Sequence, residues 1–169
     1  MNKAETIAYI KENKRYPRTF WDYWDYFFYM FPTSFFFIGM IVLIKDVQIL
    51  LALFSIFLAL FLYVFIHIRL KENLTFETIS LSSKVELKDL KEKIRKNFDV
   101  RKMNVDKDFG VIIAHTNWSG FSWGEKIMLV MDGNSILVNS RPDDDAKQPI
   151  TIVKDRHNIK MLKKIIGSL

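Results

Sequence analysis

Residues 47 to 68 read VQILLALFSIFLALFLYVFIHI, a run of 22 residues with no formal charge and one histidine, His67, near its far end. At about 1.5 Å per residue such a run reaches across a hydrocarbon layer of about 30 Å, which predicts a transmembrane helix. A second uncharged run, FFYMFPTSFFFIGMIVLI, covers residues 27 to 44, and Lys45 and Asp46 alone separate the two. So short a gap predicts an antiparallel hairpin, its tip on one side of a membrane and everything else on the other. The chain then falls into three parts: an N-terminal segment over 1–26, a two-helix hairpin over 27–68, and a domain over 69–169.

Composition means little until it is split along these lines. Half of the 169 residues are hydrophobic, but that figure averages the bilayer residues with about a hundred residues of ordinary mixed polarity, enough for one small domain with its own core. The formal charge of +6 divides in the same way. Residues 70 to 169 hold 18 Lys and Arg against 14 Asp and Glu, and residues 1 to 26 hold five against four. A surplus this small, with both signs interleaved, reads as a mildly basic solvated surface beside an anionic leaflet and gives no nucleic-acid footprint. The chain has no cysteine, so disulfides, thiolate catalysis and Cys-ligated metals are excluded. The long polar stretch before Phe27 is unlike a cleavable signal, so the hairpin is expected to stay in the mature protein.

Lys3, Lys11, Lys14, Arg15 and Arg18 precede the first apolar run, Arg69 and Lys71 follow the second, and the tip offers Lys45 against Asp46. By the positive-inside rule both ends are expected in the cytoplasm. Trp21, Tyr23, Trp24 and Tyr26, next to basic residues, have the composition of an interfacial anchor, and residues 4 to 16 are expected to form a short surface helix leading into it. Neither run carries an acid or base near its centre, which argues against a proton-coupled transporter. Ala52, Ser55 and Ala59 place small side chains on one face of the second helix, and Gly39 does so on the first. Close packing within the hairpin and self-association between copies both fit them. Pro32 either kinks the first helix or marks its true start.

The domain opens with an alternating stretch, Leu74 to Ser80, that predicts a strand. Ser83-Lys84-Val85-Glu86 has the spacing of a capping box and predicts a helix start, with Leu87, Leu90, Ile94 and Phe98 on one stripe. Strands are expected over 100–105, 111–116, 121–131 and 135–140, with a turn at 106–110, a break at 117–120 and a hairpin at Asp132-Gly133-Asn134. A polar loop holds Pro142, Asp143, Asp144, Asp145 and Pro149. A last helix opens near Asp155 to His157, runs through Ile159, Leu162 and Ile166, and ends at Gly167. The order β-α-β-β-β-β-α, with an antiparallel meander and helices on one face, predicts a two-layer α+β domain analogous in element order to helix-grip and TATA-binding-protein-like folds.

Two resemblances go beyond element order. Val138-Asn139-Ser140-Arg141, Gln148-Pro149-Ile150, Asn158-Ile159 and Leu162 together resemble the tail of certain small bacterial and plastid domains of unknown function, which transfer no catalytic residues. The layout of a two-helix anchor on a small cytosolic domain is similar to that of bacterial antiphage transmembrane effectors, which implies an inner-membrane protein whose hairpins cluster when a cyclic nucleotide is captured.

No catalytic machinery is legible. His67, His115 and His157 lack partners at metal-ligand spacing, the run Asp143 to Asp145 lacks the spacing of a calcium loop and reads as a solvated turn, and there is no phosphate-binding glycine loop or nucleophile elbow. No metal, cofactor or catalytic residue is assigned. The best binding surface joins His115, Asn117, Trp118, Phe121, Ser122 and Trp123 with Ser140, Arg141 and Gln148. Its aromatics offer stacking area and Arg141 a planar fork for an anionic or nucleotide-like small ligand. The bland alternative has the Trp residues plugging the core while Arg141 pairs with the Asp run. The functional expectation is a non-catalytic, membrane-anchored cytoplasmic module that binds a ligand or a protein partner not identifiable from sequence. The alternative is a ligand-gated membrane-disrupting effector that forms homo-oligomers through its hairpin.

Overall fold

A computed structural model describes residues 1–45, 48–83, 85–118, 124–143 and 154–167. In chain order its elements are α1 (Lys3–Asn13), α2 (Phe20–Lys45), α3 (Ile49–Leu74), β1 (Glu77–Ser80), α4 (Leu87–Asn97), β2 (Val100–Asp106), β3 (Val111–Thr116), β4 (Glu125–Asp132), β5 (Ser135–Pro142) and α5 (Lys154–Ile166). The chain divides into two units, Arg18–Glu72 and the combination of Met1–Pro17 with Asn73–Leu169.

The first unit is the helical pair. Both helices outrun the uncharged stretches that predict them. α2 begins at Phe20, where the Asp22 carboxylate accepts from the Thr19 amide at 2.5 Å and from its hydroxyl at 2.7 Å, satisfying a donor at the helix start. Pro32 therefore lies inside α2 and does not mark its start. α3 continues six residues past Ile68 to Leu74, so the strand expected from Leu74 begins only at Glu77. Each helix has 26 residues and is long and apolar enough to cross a membrane. The start of one meets the end of the other through a hydrogen bond between Tyr26 Oη and His67 Nδ1, their rings edge-on at 5.6 Å.

The second unit is built on a five-stranded antiparallel sheet in the order β1-β5-β4-β3-β2. The β4–β5 hairpin forms where Asp132-Gly133-Asn134 predicts it, with Asp132 opposite Ser135 and Gly133 at φ +59°. Positive φ falls on Gly133 and not on Asn134, as a II′ turn requires. One face of the sheet carries Ile112, Ala114, Ile127, Leu129, Ile136 and Val138 and is covered by α4 and α5 through Leu90, Ile94, Leu162, Ile165 and Ile166. The capping-box reading of Ser83 to Glu86 fails. α4 starts at Leu87 after Glu86, which makes no side-chain cap bond. Val85 is instead buried in the same cluster as Leu90, the pair of positions that forms a hydrophobic staple, and seating it keeps the preceding backbone extended.

The opposite face overturns the two-layer expectation. α1 packs there, with Ile7 and Ile10 buried against Val111, Met128, Val130 and Leu137, so the sheet has helices on both faces. The N-terminal helix thus belongs to the sheet unit, capped by Asn2 and Glu5 and pinned by Lys3 to Asp106 and by Lys14 to Asp132 at 2.7 Å. Double coverage also explains why β3, β4 and β5 hold consecutive apolar residues where a half-buried strand would alternate. Next to α1, the chain entering the apolar helices pairs with the chain leaving them. The Tyr16 amide donates to the Leu74 carbonyl at 2.8 Å, and the Phe76 amide to the Lys14 carbonyl at 2.7 Å. The buried Asn139 amide of β5 donates to the carbonyls of Asn73 and Thr75 at 3.1 and 2.7 Å.

Two outcomes are expected of α1. Ile10→Ala should lower the stability of the sheet unit by about 2–5 kcal/mol, the range for emptying a buried aliphatic site, read as a thermal shift in the full-length protein. The bond from Lys3, aided by the Phe109 amide, holds the Asp106 carboxyl below its ordinary value of 3.8. A carboxyl with a lowered folded pKa stabilises above its unfolded pKa and loses that contribution as pH falls through the folded one. The Asp106 titration followed by NMR should have its midpoint below 3.8 and move upward in Lys3→Met; an unchanged midpoint would show that the contact is not formed.

Candidate functional site

The register of the sheet lays out the face under α1 in rows, because residues directly opposite each other on antiparallel strands share a face. The first row is Asp106, Val111, Val130 and Leu137, mostly apolar and covered by α1. The next is Asn104, Ile113, Met128 and Asn139, over which Tyr16 lies, its hydroxyl 3.0 Å from the Met128 sulfur and its ring 4.8 Å from that of Phe76. The third is Lys102, His115, Lys126 and Arg141, four basic side chains abreast on four neighbouring strands. Lys102 is exposed and the other three are half-buried. The Arg141 guanidinium carbon is 4.4 Å from the centre of the Tyr16 ring, a cation–π contact.

Beyond this row a buried carboxylate ties the sheet end together. Asp143 is 3% exposed; its Oδ2 meets His115 Nδ1 at 2.7 Å and accepts from Arg101 Nη2 at 3.1 Å. Arg101 reaches it from the point where the β2–β3 register slips between Val100 and Lys102. Asp143 itself is placed by its amide, which donates to the Gly124 carbonyl at 3.1 Å. Gly124 has φ +104°, and a Cβ there would stand 2.9 Å from the Thr116 carbonyl oxygen, so only glycine fits.

His115 and Arg141, separate candidates in the sequence, therefore come to one face. Ser140 does not join them: it lies on the opposite face, buried under α5, where its hydroxyl accepts from the Asn158 amide at 3.1 Å. That buried pair is a docking contact for α5. Asn117 is held by Asp99 through its amide at 2.9 Å and its side chain at 2.7 Å. Trp118 is 67% exposed next to Gly124. Phe121, Ser122, Trp123 and Gln148 lie outside the described residues, as do Asp144 and Asp145. Asp143 is no solvated turn residue: it is buried and engages His115 and Arg101.

In the helical unit Ala52 and Ala59 are buried, Ser55 is half-buried, and Gly39 has nothing within 4 Å of an added Cβ. Of the interfacial candidates, Tyr23 lies under Arg18 at 5.8 Å, Trp24 stacks between Phe20 and Phe27, Tyr26 bonds His67, and the Trp21 side chain lies outside the described part. Sequence reasoning missed Lys102, Lys126, Asp143 and Tyr16. The Lys126–Arg141 pairing was within reach, since counting back from the Gly133 turn sets those residues opposite each other; Tyr16 and Asp143 are brought in by tertiary contacts that leave no periodic signal.

The chain matches no protein-family profile, no curated protein and no solved structure. Its site has to be read from geometry alone. Among the described residues no cluster of three or more His, Asp or Glu side chains is arranged to hold a metal ion.

Two substitutions probe the sheet end. Gly124→Ala forces either a positive φ on alanine or a shift of the Thr116 backbone, and about 1–3 kcal/mol of stability should be lost. Asp143→Asn removes a charged acceptor from His115 and Arg101 and should cost about 1.5–3 kcal/mol. Thermal melts of both full-length variants check these values; wild-type melting for Asp143→Asn would mean that the carboxylate does not organise this end.

Proposed function

We propose that the chain is a non-catalytic, membrane-anchored module: α2 and α3 cross a bilayer, both chain ends lie on the cytoplasmic side, and the α1-side face of the sheet binds a ligand or partner. The observation that carries this reading is the uncovered apolar surface of the two helices. Only 6% of the apolar window in α2 and 11% of that in α3 is buried, and Phe27, Phe31, Phe35, Leu50, Phe54 and Phe57 are each more than half exposed. A helix in the core of a soluble protein is covered by its neighbours; among the described residues these are left largely uncovered, and a water-exposed apolar surface of this extent is not sustained. Lipid supplies the missing partner, and both helices satisfy their backbone groups internally, as a spanning segment must. The cytoplasmic placement is supported by the bases flanking the pair at both ends, the tip offering one Lys beside one Asp.

The absence of cysteine from the natural sequence makes the test clean. The protein should stay in the membrane pellet through high-salt and alkaline carbonate washes. Lys107→Cys, in the exposed β2–β3 turn, should react with an impermeant maleimide only in inside-out vesicles, and Asp46→Cys, between the helices, only in right-side-out ones. Release by carbonate would overturn the spanning helices, and the reverse labelling pattern would overturn the orientation.

A further inference from the structure

We propose that the outer edge of β2 pairs with the β2 edge of a second copy of this chain, joining the two sheets across a two-fold axis at Asn104. The contact lies on the edge of the sheet, apart from its α1-side face, and needs no bilayer.

The strand order β1-β5-β4-β3-β2 leaves two edges. A sheet edge presents a row of unpaired N–H and C=O groups, and proteins blunt such edges with short strands, bulges, proline or charge. β1 is blunted by length: it has four residues, and its Glu77 carboxylate is held by Lys163 of α5. β2 has seven residues, and among the described residues no strand lies on its outer side. Its register slip falls between Val100 and Lys102, so from Lys102 to Asp106 it runs in unbroken register with β3. It holds no proline. What guards this stretch is charge, Lys102 at one end and Asp106 at the other.

Those two charges decide what the edge accepts. When a strand meets its own copy antiparallel about a two-fold axis normal to the sheet, residues set opposite each other share a face. With the axis at Lys102, Lys102 faces itself, and like charges directly opposite are destabilising. With the axis at Met103, Lys102 faces Asn104 and Asp106 faces Val100, so neither charge is met. With the axis at Val105, Lys102 falls beyond the end of the partner strand at Asp106. With the axis at Asn104, Lys102 of each copy faces Asp106 of the other, Met103 faces Val105, and Asn104 faces its counterpart. The Lys–Asp pairs then lie on the α1 side of the sheet and the Met–Val pairs on the α4 side, where Met103 and Val105 pack half-buried against the core and a partner strand would cover more of them.

Both charges have capacity for this. Lys102 is exposed, and among the described residues no carboxylate is paired with it. Asp106 accepts from Lys3 and from the amides of Asp108 and Phe109, three donors on a group with about four acceptor positions. Lys102 thus opposes the register that sets it against itself and selects the one in which both ends of the pairing close on Asp106.

The test uses full-length protein in a neutral detergent. The natural sequence has no cysteine, so Asn104→Cys places a single pair of thiols at the axis. Opposite residues on antiparallel strands have Cα atoms about 4.5 or 5.5 Å apart, both within reach of a disulfide. Mild copper-phenanthroline oxidation should turn Asn104→Cys into a covalent dimer on a non-reducing gel, while Lys160→Cys, at an exposed position of α5, stays monomeric. Adding Lys102→Glu to Asn104→Cys should slow the linking about tenfold or more, since two attractive cross-strand pairs become two repulsive ones, and Lys102→Gln should fall between. Positions 102 and 104 are both exposed, so the core is untouched by these changes. Linking of Asn104→Cys no faster than that of Lys160→Cys overturns the pairing, and is the result expected if another protein's strand takes the edge or if copies meet through their apolar helices alone. Linking at one rate across the Lys102 series overturns the charge-selected register.

Discussion

The structure depends on a short antiparallel contact that joins residues 14–16 to residues 74–76. More than fifty residues of apolar helix lie between these two short segments, and without a clasp their ends would be as free as those of any long loop. Two backbone hydrogen bonds and the Asn139 amide close that loop at its base. Loop closure costs conformational entropy; the docking of α1, with Ile7 and Ile10 buried, offsets it by holding residues 14–16 in place. The N-terminal helix is thus the element that lets a hairpin insertion sit within a sheet unit assembled from both ends of the chain.

Coverage on both sides sets the chemistry of the sheet. The α4–α5 face is a continuous apolar cluster, and a polar contact, Ser140 to Asn158, helps fix where α5 lands. On the α1 face the apolar cluster is the part where Ile7 and Ile10 are buried. The face therefore grades from aliphatic, through the Tyr16 and Asn139 row, to the four basic residues, and the candidate site is the part of it that α1 leaves uncovered. Gly124 and Asp143 belong to the same boundary: a backbone without Cβ lets the turn close tightly over Thr116, and the carboxylate that arrives with it anchors His115 and Arg101.

Much of this could be read from the residues, for reasons that differ from place to place. The apolar helices, the Gly133 hairpin, the strands from Val100 to Pro142 and the last helix all follow from local signals: hydropathy over a long window, a turn that needs positive φ, and the periodicity of two or 3.6. His115 and Arg141 were legible as candidates because one adjoins the aromatic stretch around Trp118 and the other offers a planar fork, whereas Lys102 and Lys126 carry no such local mark. The readings that failed were those in which a local signal met a tertiary demand. The Ser83 to Glu86 pattern lost to the burial of Val85, and residues 4–16, without a strong apolar stripe, passed for an interfacial helix although Ile7 and Ile10 are core.

The sequence by itself determined what is local: two helices long and apolar enough to cross a membrane, an antiparallel meander, and an excess of basic residues flanking the helical pair. Even the double coverage of the sheet was written in the uninterrupted apolar runs of β3 and β4, since a strand with one wet face alternates. Tertiary structure alone decided which helix supplies the second cover, which face each polar residue joins, and that Ser140 and Arg141, adjacent in the chain, serve opposite sides of the sheet. The physical reason is that a strand alternates its side chains with a period of two, whereas the partners of those side chains, Tyr16, Asn158 and Asp143, come from elsewhere in the chain through contacts that no local periodicity encodes.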